Sequence, residues 1–434
     1  MEPLGSCRVK ILHVTPGTGN FYCGSCLRDA GLIRELRRRD HRVQCVPFYL
    51  PLVTEGDDPS STPMFFGGIN VTLQQRYRFF RTSPRWMDVL FDRPHLLRLA
   101  ARIDPLTDAQ ELGELTLSML RGEEGNQRKE LERFVAWINH EPRPDIICLS
   151  NALLVGLGRV LKERIGVPVV CTLQGEDAFL DALPNPLAAK AWEIVSDQSQ
   201  QIDGLIPVSQ YYGNEFQRRT GIDPERFYTI SNGVDLSGFS MRASLPNPPV
   251  IGFLAQMCPA KGLHRLIDAF VNIRKSGRAP EVGLRIAGAC TPGDQGSVDR
   301  LKTRLHEAGY ASDVSFHTNL TRREKTEFLR GLTVFSVPTL YNEAFGMYVI
   351  EALACGVPVV EPNHGAFPEL IAACGGGVLY APEESNGLED ALMDLLQAPE
   401  RARALGSKGR EQALEKYSIG RMADDVVDLF RKVI

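Results

Sequence analysis

The sequence has few features of a membrane, secreted or nucleic-acid-binding protein. No uninterrupted apolar stretch approaches the roughly 20 residues that span a bilayer, and the opening MEPLGSCRVKILHV lacks the apolar core of a signal peptide. The 49 basic and 53 acidic residues give a net charge of −4, so no overall basic excess points to nucleic acid. We therefore expect a cytoplasmic protein that does not bind nucleic acid.

The ten cysteines are scattered along the chain rather than grouped in a disulfide framework. Cys45, Cys148 and Cys171 fall in predicted buried strands, which suits reduced thiols acting as small core residues. Cys23 and Cys26 form a Cys-x-x-Cys pair at a predicted helix start, an arrangement that also occurs in metal and redox sites. A zinc site needs two more ligands, and no second pair or nearby histidine pair supplies them. We favour small cleft-lining residues over metal or redox work, and expect no metal and no cofactor.

The length of 434 residues exceeds what one hydrophobic core usually serves, which predicts two domains of about 200 residues each. An apolar strand from Val9 to Val14, a glycine-rich turn and the helix LRDAGLIRELRRR open the chain. This order is typical of an α/β protein with a doubly wound sheet. Pro246 to Pro249 marks a linker, after which a second such unit begins at Val250. We predict domains at 1–245 and 246–415, followed by a last helix at 416–434.

The stretch from Thr339 to Glu369 carries the strongest functional pattern. Glu343 precedes a helix that begins near Gly346 and carries Glu351, and a buried strand follows from Val357 to Glu361. A helix start without a side chain at the glycine can face a phosphate group with its unpaired N–H groups. A carboxylate beside an anion site serves uncharged hydroxyls better. The pattern therefore favours a nucleotide-sugar; the alternative, a surface helix with solvated glutamates, is opposed by its apolar residues Phe345, Val349, Ile350 and Leu353.

Glu343 and Glu351, with seven residues between them, together with ACGVPVV, Gly365 and Glu369, resemble the E-x7-E region of family 4 of the retaining glycosyltransferases. The resemblance implies the GT-B fold, in which two Rossmann-like α/β domains face each other across a cleft. The first domain would hold the acceptor and the second the nucleoside-diphosphate-sugar donor. It also implies sugar transfer with retention and without metal, and a last helix that crosses back to the first domain. A glycosidase-like pair of catalytic carboxylates is not visible.

The resemblance assigns roles to individual residues. The proposed catalytic group is Glu343, Lys261 and Gln174, where Gln174 stands in place of the family's histidine against the donor sugar. A lysine at the start of a helix opposes the helix dipole unless an anion is present, which favours phosphate binding by Lys261. The proposed donor-binding residues are Glu351, Gln256, Phe345, Gly346, Met347, His317, Thr318, Gly24 and Gly365. His317 is interpreted first as a core or loop histidine whose backbone lies near the base.

Gln256 departs from the family, which has arginine there. The change removes a charge from a site that must stabilise a departing diphosphate, a loss that typically costs about 2.7–4 kcal/mol of the barrier. Either another cation compensates, or the activity is slow, altered or absent. A catalytically inactive GT-B module that binds nucleotide or sugar as a regulator or scaffold is therefore the alternative function. An epimerase of the same fold is a third interpretation, and it lacks supporting histidines and carboxylates.

A segment at about 74–140, rich in arginine and aromatic residues, interrupts the first domain. Residues 74–102 contain seven arginines against two aspartates. Such a patch could dock on an anionic membrane surface or hold an acidic acceptor. We favour the simpler interpretation, solvated faces of inserted helices, and keep peripheral contact with the inner face of the membrane as the alternative. The expected partners are the nucleotide-sugar donor and a sugar, lipid-linked or small-molecule acceptor.

Overall fold

A computed structural model describes residues 8–17, 24–48, 65, 75 and 109–434. Two compact units divide the chain: Met1–Ser231 with Met422–Ile434, and Asn232–Arg421. The division after Ser231 precedes the proline-rich linker chosen from the sequence, and the last helix contributes Met422–Ile434 to the first unit. Among the described residues, no helix is both long and apolar enough to cross a membrane.

Several sequence predictions fall outside the described residues. They concern the Arg-rich stretch at 76–102, a strand at 69–73 and Cys23, so the proposed membrane patch and the Cys23–Cys26 pair stay predictions. Cys26 itself is buried, and no disulfide joins the eight cysteines that the structure describes.

The first unit is built on a five-stranded parallel sheet of order β2-β1-β3-β4-β5. Every residue of β3, β4 and β5 is buried, as expected for parallel strands covered on both faces. Cys45, Cys148 and Cys171 lie buried in β2, β3 and β4. The elements are β1 Lys10–Thr15, α1 Gly24–Arg38, β2 Arg42–Pro47, α2 Ala109–Leu120, α3 Arg128–His140, β3 Ile146–Leu149, α4 Gly158–Ile165, β4 Val169–Leu173, α5 Asp177–Leu180, α6 Leu187–Ser199, β5 Gly204–Pro207 and α7 Gln210–Thr220.

The sequence from Phe227 to Ile230 also predicts a strand, and this prediction is wrong. Only an isolated bridge forms, between Phe227 and Leu205. The segment does follow β5, since the N–H of Tyr228 donates to the Leu205 carbonyl at 2.8 Å and that of Ile230 to the Pro207 carbonyl at 3.1 Å.

The second unit is built on a six-stranded parallel sheet of order β11-β10-β9-β6-β7-β8. The chain runs outward from β6 through β7 to β8, then returns to the other side of β6 as β9. Ligands in open α/β sheets bind outside the carboxyl ends of the strands at such a reversal. The elements are β6 Val250–Leu254, α8 Leu263–Lys275, β7 Gly283–Gly288, α9 Pro292–Glu307, β8 Val314–Thr318, α10 Arg322–Arg330, β9 Val334–Phe335, α11 Met347–Ala354, β10 Val359–Pro362, α12 Phe367–Cys374, β11 Gly377–Tyr380, α13 Gly387–Leu396 and α14 Pro399–Lys416. The last helix, α15 Ile419–Val433, belongs to the first unit from Met422 onward.

Helix α8 illustrates how sequence pattern positions the site. Leu263, Leu266, Ile267 and Phe270 recur at three- and four-residue spacing and are all buried, so this face packs into the core. The helix begins after Gly262, whose φ of 72° is the left-handed conformation that glycine adopts without strain. This start fixes the loop that leads out of β6.

Candidate functional site

Two loops of the second unit, one after β6 and one after β9, are fastened to each other through their backbones. The N–H of Leu340 donates to the Ala260 carbonyl at 2.9 Å. A Cβ on Gly262 would lie 1.8 Å from the Pro338 carbonyl oxygen, far inside van der Waals contact. Only glycine therefore permits this approach, and it places Lys261 next to the loop that carries Glu343.

We expect Gly262→Ala to displace these loops and to destabilise the second unit by more than Gly277→Ala. Both glycines have a positive φ, but a Cβ at Gly277 meets nothing within 4 Å. The control should therefore show only the conformational cost of about 1–2 kcal/mol, while Gly262→Ala adds the collision with Pro338. Urea unfolding of both variants measures the difference, and equal losses of stability would contradict the close packing.

Lys261 and Glu343 form an ion pair, and two tyrosines complete the cluster. Oε2 of Glu343 accepts the Nζ–H of Lys261 and the hydroxyls of Tyr341 at 3.1 Å and Tyr348 at 2.9 Å. Nζ of Lys261 lies 5.1 and 5.2 Å from the two ring centroids, within cation–π range. Each side chain of the pair is 16% exposed, so the charges are only partly screened by water. The structure thus brings two of the three proposed catalytic residues together.

Tyr341 and Tyr348 were missed by the sequence analysis. Their only signal is position, two residues before and five residues after Glu343. Burial, and then the negative charge on Glu343, raise the pKa of Tyr348 well above its usual value. The hydroxyl of Tyr348 therefore stays protonated and remains a hydrogen-bond donor to the carboxylate.

Gly365 packs directly against the backbone of Glu343. It has a φ of 61°, and a Cβ there would lie 2.7 Å from both the nitrogen and the oxygen of Glu343. The next residue, Ala366, donates its N–H to the Glu343 carbonyl at 2.9 Å. The loop after β10 therefore holds the backbone of Glu343, while Lys261 binds its side chain. Gly365 was proposed as a donor-binding residue, and that role stays a prediction.

The start of α11 lies immediately after Glu343. Gly346 precedes the helix with a φ of 96°, and Met347 is its first residue. Backbone N–H groups in the first turn of a helix lack intrahelical partners, so they are available to an anion. The Phe345 ring is buried with its centroid 5.8 Å from that of Tyr417, which leaves its backbone rather than its side chain for a ligand.

Glu351 has partners different from those of Glu343. It is buried in α11 and accepts the Nζ–H of Lys325, from α10, at 2.5 Å. The two glutamates of the E-x7-E pattern are thus each paired with a different lysine. Donor binding by Glu351 stays a prediction.

Gln256, at the expected arginine position, is bound to a carboxylate. Its Nε2 donates to Oδ2 of Asp294 at 2.9 Å. The same oxygen accepts the Thr291 hydroxyl at 2.6 Å in the capping box that begins α9. Burial opposes the charge, but hydrogen bonds from Thr291 and Gln256 outweigh it and hold the pKa of Asp294 below its usual value. The loop after β6 therefore faces an anion here, which the sequence analysis did not anticipate.

His317 and Thr318 lie at the carboxyl end of β8, the edge strand of the sheet. Nε2 of His317 is 3.0 Å from the Ser315 hydroxyl, and its ring centroid is 5.9 Å from that of Phe328. The imidazole is therefore held by its own strand and by α10, as the loop-histidine interpretation expects. Thr318 is exposed.

Two proposed residues belong to the first unit. Gln174 follows β4 and donates its Nε2–H to the Ser150 carbonyl, after β3, at 2.6 Å. Gly24 is the exposed first residue of α1. In the first sheet β2 lies on one side of β1 and β3 on the other, so the strand order reverses at β1. Gln174 and Gly24 follow strands of this sheet and lie near the carboxyl ends, where a doubly wound sheet binds ligands.

Glu176 orders the loop of Gln174, and the sequence analysis missed it. This buried carboxyl group accepts the N–H groups of Ala152 and Gln174 at 2.9 Å and the Tyr212 hydroxyl at 2.9 Å. Burial raises the pKa of Glu176, while these hydrogen bonds favour its charged form. The residue ties the loop after β4 to that after β3.

Across 8–17, 24–48 and 109–434, with residues 65 and 75, no group of three or more His, Cys, Asp or Glu side chains is placed to hold a metal ion. The side chains that cluster in the loops of the second sheet are instead Lys261, Glu343 and the two tyrosines that donate to Glu343.

Comparison with solved structures supports the fold. Sucrose-phosphate synthase (tll1590) from Thermosynechococcus elongatus superposes with a TM-score of 0.72 at 19% identity, covering 98% of both chains. Alr3699/HepE from Anabaena, in complex with UDP, gives 0.67 at 17% identity, covering 98% of this chain and all of that one. At these identities the likeness shows the fold, which is GT-B.

Comparison of sequences shows the family. Residues 240–412 match Glycosyl transferases group 1, and residues 119–237 match Glycosyltransferase Family 4. D-inositol 3-phosphate glycosyltransferase 2 of Catenulispora acidiphila is 30% identical over 295 residues, 63% of this chain and 68% of the relative. MMP alpha-(1->4)-mannosyltransferase of Mycolicibacterium hassiacum is 26% identical over 304 residues, 67% and 72% of the two chains. The chain belongs to glycosyltransferase family 4 and is a glycosyltransferase enzyme of the GT-B fold.

Proposed function

We propose that the enzyme moves a sugar from a nucleoside-diphosphate-sugar donor to a hydroxyl of its acceptor, with retention at the anomeric carbon and without metal. The observation that carries this proposal is the Lys261–Glu343 pair and its two tyrosine hydroxyls at the chain reversal between β6 and β9. HepE, a structural neighbour, was solved with UDP and with UDP-glucose. A donor of the same chemical class suits a cation beside a helix start.

In this proposal Lys261 meets the diphosphate. A phosphate oxygen competes with Glu343 for the ammonium group, and Lys261 then stabilises the negative charge that grows on the diphosphate as the sugar leaves. Glu343, with Tyr341 and Tyr348 still donating to it, is left to accept a sugar hydroxyl. The preformed cluster keeps these groups in place, so little reorganisation is needed during the reaction.

We propose that the configuration is retained because the diphosphate leaves and the acceptor attacks on the same face of the sugar. The acceptor oxygen bonds to the anomeric carbon as the bond to the diphosphate oxygen breaks, and that phosphate oxygen takes the acceptor proton. A double displacement needs two carboxyl groups about 5–5.5 Å apart across the sugar. Glu351 is instead buried and paired with Lys325, which supports the single-carboxylate arrangement.

The acceptor is proposed to be a sugar, a lipid-linked sugar or another small polyhydroxy compound. The named relatives include glycosyltransferases of D-inositol 3-phosphate, a phosphorylated polyol. A cytoplasmic location is proposed with it, and contact of the Arg-rich stretch with an anionic membrane surface stays the alternative to solvated helix faces. Binding that falls as salt rises, in sedimentation with anionic vesicles, tests that contact.

The transfer reaction is tested directly by incubating the purified enzyme with UDP-, GDP- and ADP-sugars and a panel of sugar, polyol and lipid-linked acceptors. We expect nucleoside diphosphate release that depends on the acceptor, and a product whose anomeric configuration in NMR matches the donor. An inverted product would overturn retention. Nucleotide binding without turnover of any donor would instead support the inactive module.

The hydrogen bond between Gln256 and Asp294 determines the expected effect of Gln256→Arg on turnover. The new guanidinium would pair with Asp294 rather than with the diphosphate, so we expect turnover to stay within about twofold of the unaltered enzyme. Gln256→Arg combined with Asp294→Asn removes that competing anion, and turnover should rise about tenfold, part of the 10²–10³ that one such donor is typically worth.

Steady-state release of nucleoside diphosphate measures both variants, and Asp294→Asn alone is the matched control that should bring no gain. If the single arginine variant gains as much as the double variant, Asp294 does not compete for the side chain at 256.

A further inference from the structure

A second carboxyl group lies beneath the Lys261–Glu343 pair and is used by no step proposed above. Glu361, in β10, is 0% exposed. The N–H of Val337 lies 3.2 and 3.3 Å from its two oxygens. Val337 follows β9 and begins the run of chain that leads to Glu343. The carboxyl group of Glu361 therefore holds the origin of that loop from inside the sheet.

The surroundings of Glu361 do not favour a negative charge. The neighbouring strand residues Val359 and Val360 are fully buried and apolar. Four titratable groups face the carboxyl: Glu343, Lys261, Tyr348 and Tyr380. Burial raises the pKa of Glu361 well above its usual value and outweighs the Val337 N–H, which favours the charged form. The charge on Glu343 adds to the rise in pKa, and Lys261 opposes it. Glu361 thus keeps its proton to a pH at which ordinary glutamates have lost theirs.

An apolar residue would fill a buried strand position at lower desolvation cost, but it would leave the Val337 N–H without its partner. A buried donor that loses its acceptor costs about 1–3 kcal/mol. An ionised glutamate would keep the hydrogen bond, yet it would add a negative charge close to Glu343 and to an arriving diphosphate. The protonated acid satisfies both requirements, because its carbonyl oxygen still accepts the Val337 N–H and it carries no charge.

We propose that Glu361 is a positioning residue, which holds the loop of Glu343 as a protonated acid and whose ionisation disturbs the Lys261–Glu343 pair. This inference rests on the proposed function and adds a group that does not touch the substrate. Donor binding would then depend on the proton of Glu361, which takes no part in the transfer reaction itself. The enzyme should therefore lose affinity for nucleoside diphosphates as Glu361 ionises at alkaline pH.

Two variants separate the acid's roles. Glu361→Gln keeps an acceptor for Val337 and cannot ionise, whereas Glu361→Leu keeps the volume and removes the acceptor. Calorimetry of UDP, GDP and ADP binding from pH 6 to 10 gives a readout that needs no turnover. We expect affinity to fall at least threefold at alkaline pH in the unaltered enzyme, and Glu361→Gln to lack this fall. Tyr380→Phe, which removes the other ionisable neighbour on the next strand, should keep it.

Steady-state kinetics gives the second readout. Glu361→Leu should lower kcat about tenfold with a smaller change in donor KM, because Glu343 is misplaced while Lys261 stays, and Glu361→Gln should restore kcat to within about threefold. The inference would be overturned if affinity for nucleoside diphosphates fell equally at alkaline pH in the unaltered and Glu361→Gln enzymes. An unchanged kcat in a folded Glu361→Leu variant would also overturn it. Intact diphosphate binding without turnover would overturn the proposed function alone, and failure to bind any of the three would overturn both.

Discussion

Lys261→Ala is expected to lower the rate of sugar transfer about 10²–10³-fold, the loss typical when one stabilising donor is removed from a transition state. The variant also leaves the Glu343 carboxylate with two tyrosine hydroxyls and without its cation. An uncompensated negative charge would then face the diphosphate. Binding of UDP or GDP should therefore weaken more than binding of uridine or guanosine, since only the diphosphates carry the opposing charge.

Calorimetry with each nucleoside and its diphosphate measures this difference, and acceptor-dependent diphosphate release measures the rate. Lys275→Ala is the matched control, because Lys275 is the exposed last residue of α8, the helix that begins just after Lys261 and Gly262. It should change neither quantity. Equal losses of affinity for nucleoside and nucleoside diphosphate in Lys261→Ala would contradict the proposal that Lys261 binds the diphosphate.

Asp29→Ala is expected to lower the free energy of unfolding of the first unit by about 3–5 kcal/mol, because it removes the carboxylate from buried ion pairs with Arg28 and His13. Asp29 in α1 is 0% exposed. Its carboxylate lies 2.6 Å from Nη1 of Arg28 and 3.5 Å from Nε2 of His13 in β1, and it accepts the Thr15 hydroxyl at 3.4 Å. Urea unfolding measures the loss. Glu132→Ala, which breaks an exposed pair with Arg128, should cost no more than about 0.5 kcal/mol.

The same cluster makes stability depend on pH in a defined direction. Burial alone would lower the pKa of His13, but the Asp29 carboxylate, and after it Cys148, outweigh burial and raise the pKa from 6.5 to about 10. A raised pKa stabilises the folded state fully below 6.5, and that contribution disappears as pH rises through about 10. The pKa of Asp29 is lowered from 3.8, since His13 and Arg28 outweigh burial, so its contribution is lost as pH falls below that value.

Unfolding curves between pH 6 and 10 should therefore show a fall in stability that Asp29→Ala lacks. A variant that keeps the full alkaline fall would show that His13 owes its charge to another group.

The buried strands were the most predictable part of the fold. The run GLRIAG predicts a strand from Gly283 to Gly288, which are the limits of β7, and β6 begins at the predicted Val250. Parallel strands covered on both faces are nearly continuous apolar runs, so the signal is local. Strand β10 was predicted two residues too early, because the N–H of Val357 bonds instead to the Ala352 carbonyl at the end of α11. Such competition between a helix end and a strand is not visible in local composition.

The candidate site was predictable only where one residue carries the pattern. The family resemblance led to Lys261 and Glu343, which the structure pairs. The Tyr348 hydroxyl and the Asp294 carboxylate were not found, because their roles depend on side-chain directions set by separate loops. Gly365 was assigned to the donor, yet its close contact is with the Glu343 backbone, a consequence of a positive φ that sequence does not reveal.

The backbone fastening of Leu340 to Ala260 has a consequence for how this enzyme can diverge. The loops that carry the ammonium and the carboxylate of the central pair are held against each other by this hydrogen bond and by the close approach of Gly262 to the Pro338 carbonyl. The loop after β7 is also bonded to the loop after β6, since the Met257 N–H donates to the Ala289 carbonyl at 2.8 Å, whereas Thr318 at the end of β8 takes no part in these contacts. If Thr318 binds the donor as proposed, its substitution should alter which donor is recognised while Lys261 and Glu343 stay paired. We therefore expect a library confined to the loop after β8 to retain activity more often than one that includes 258–262.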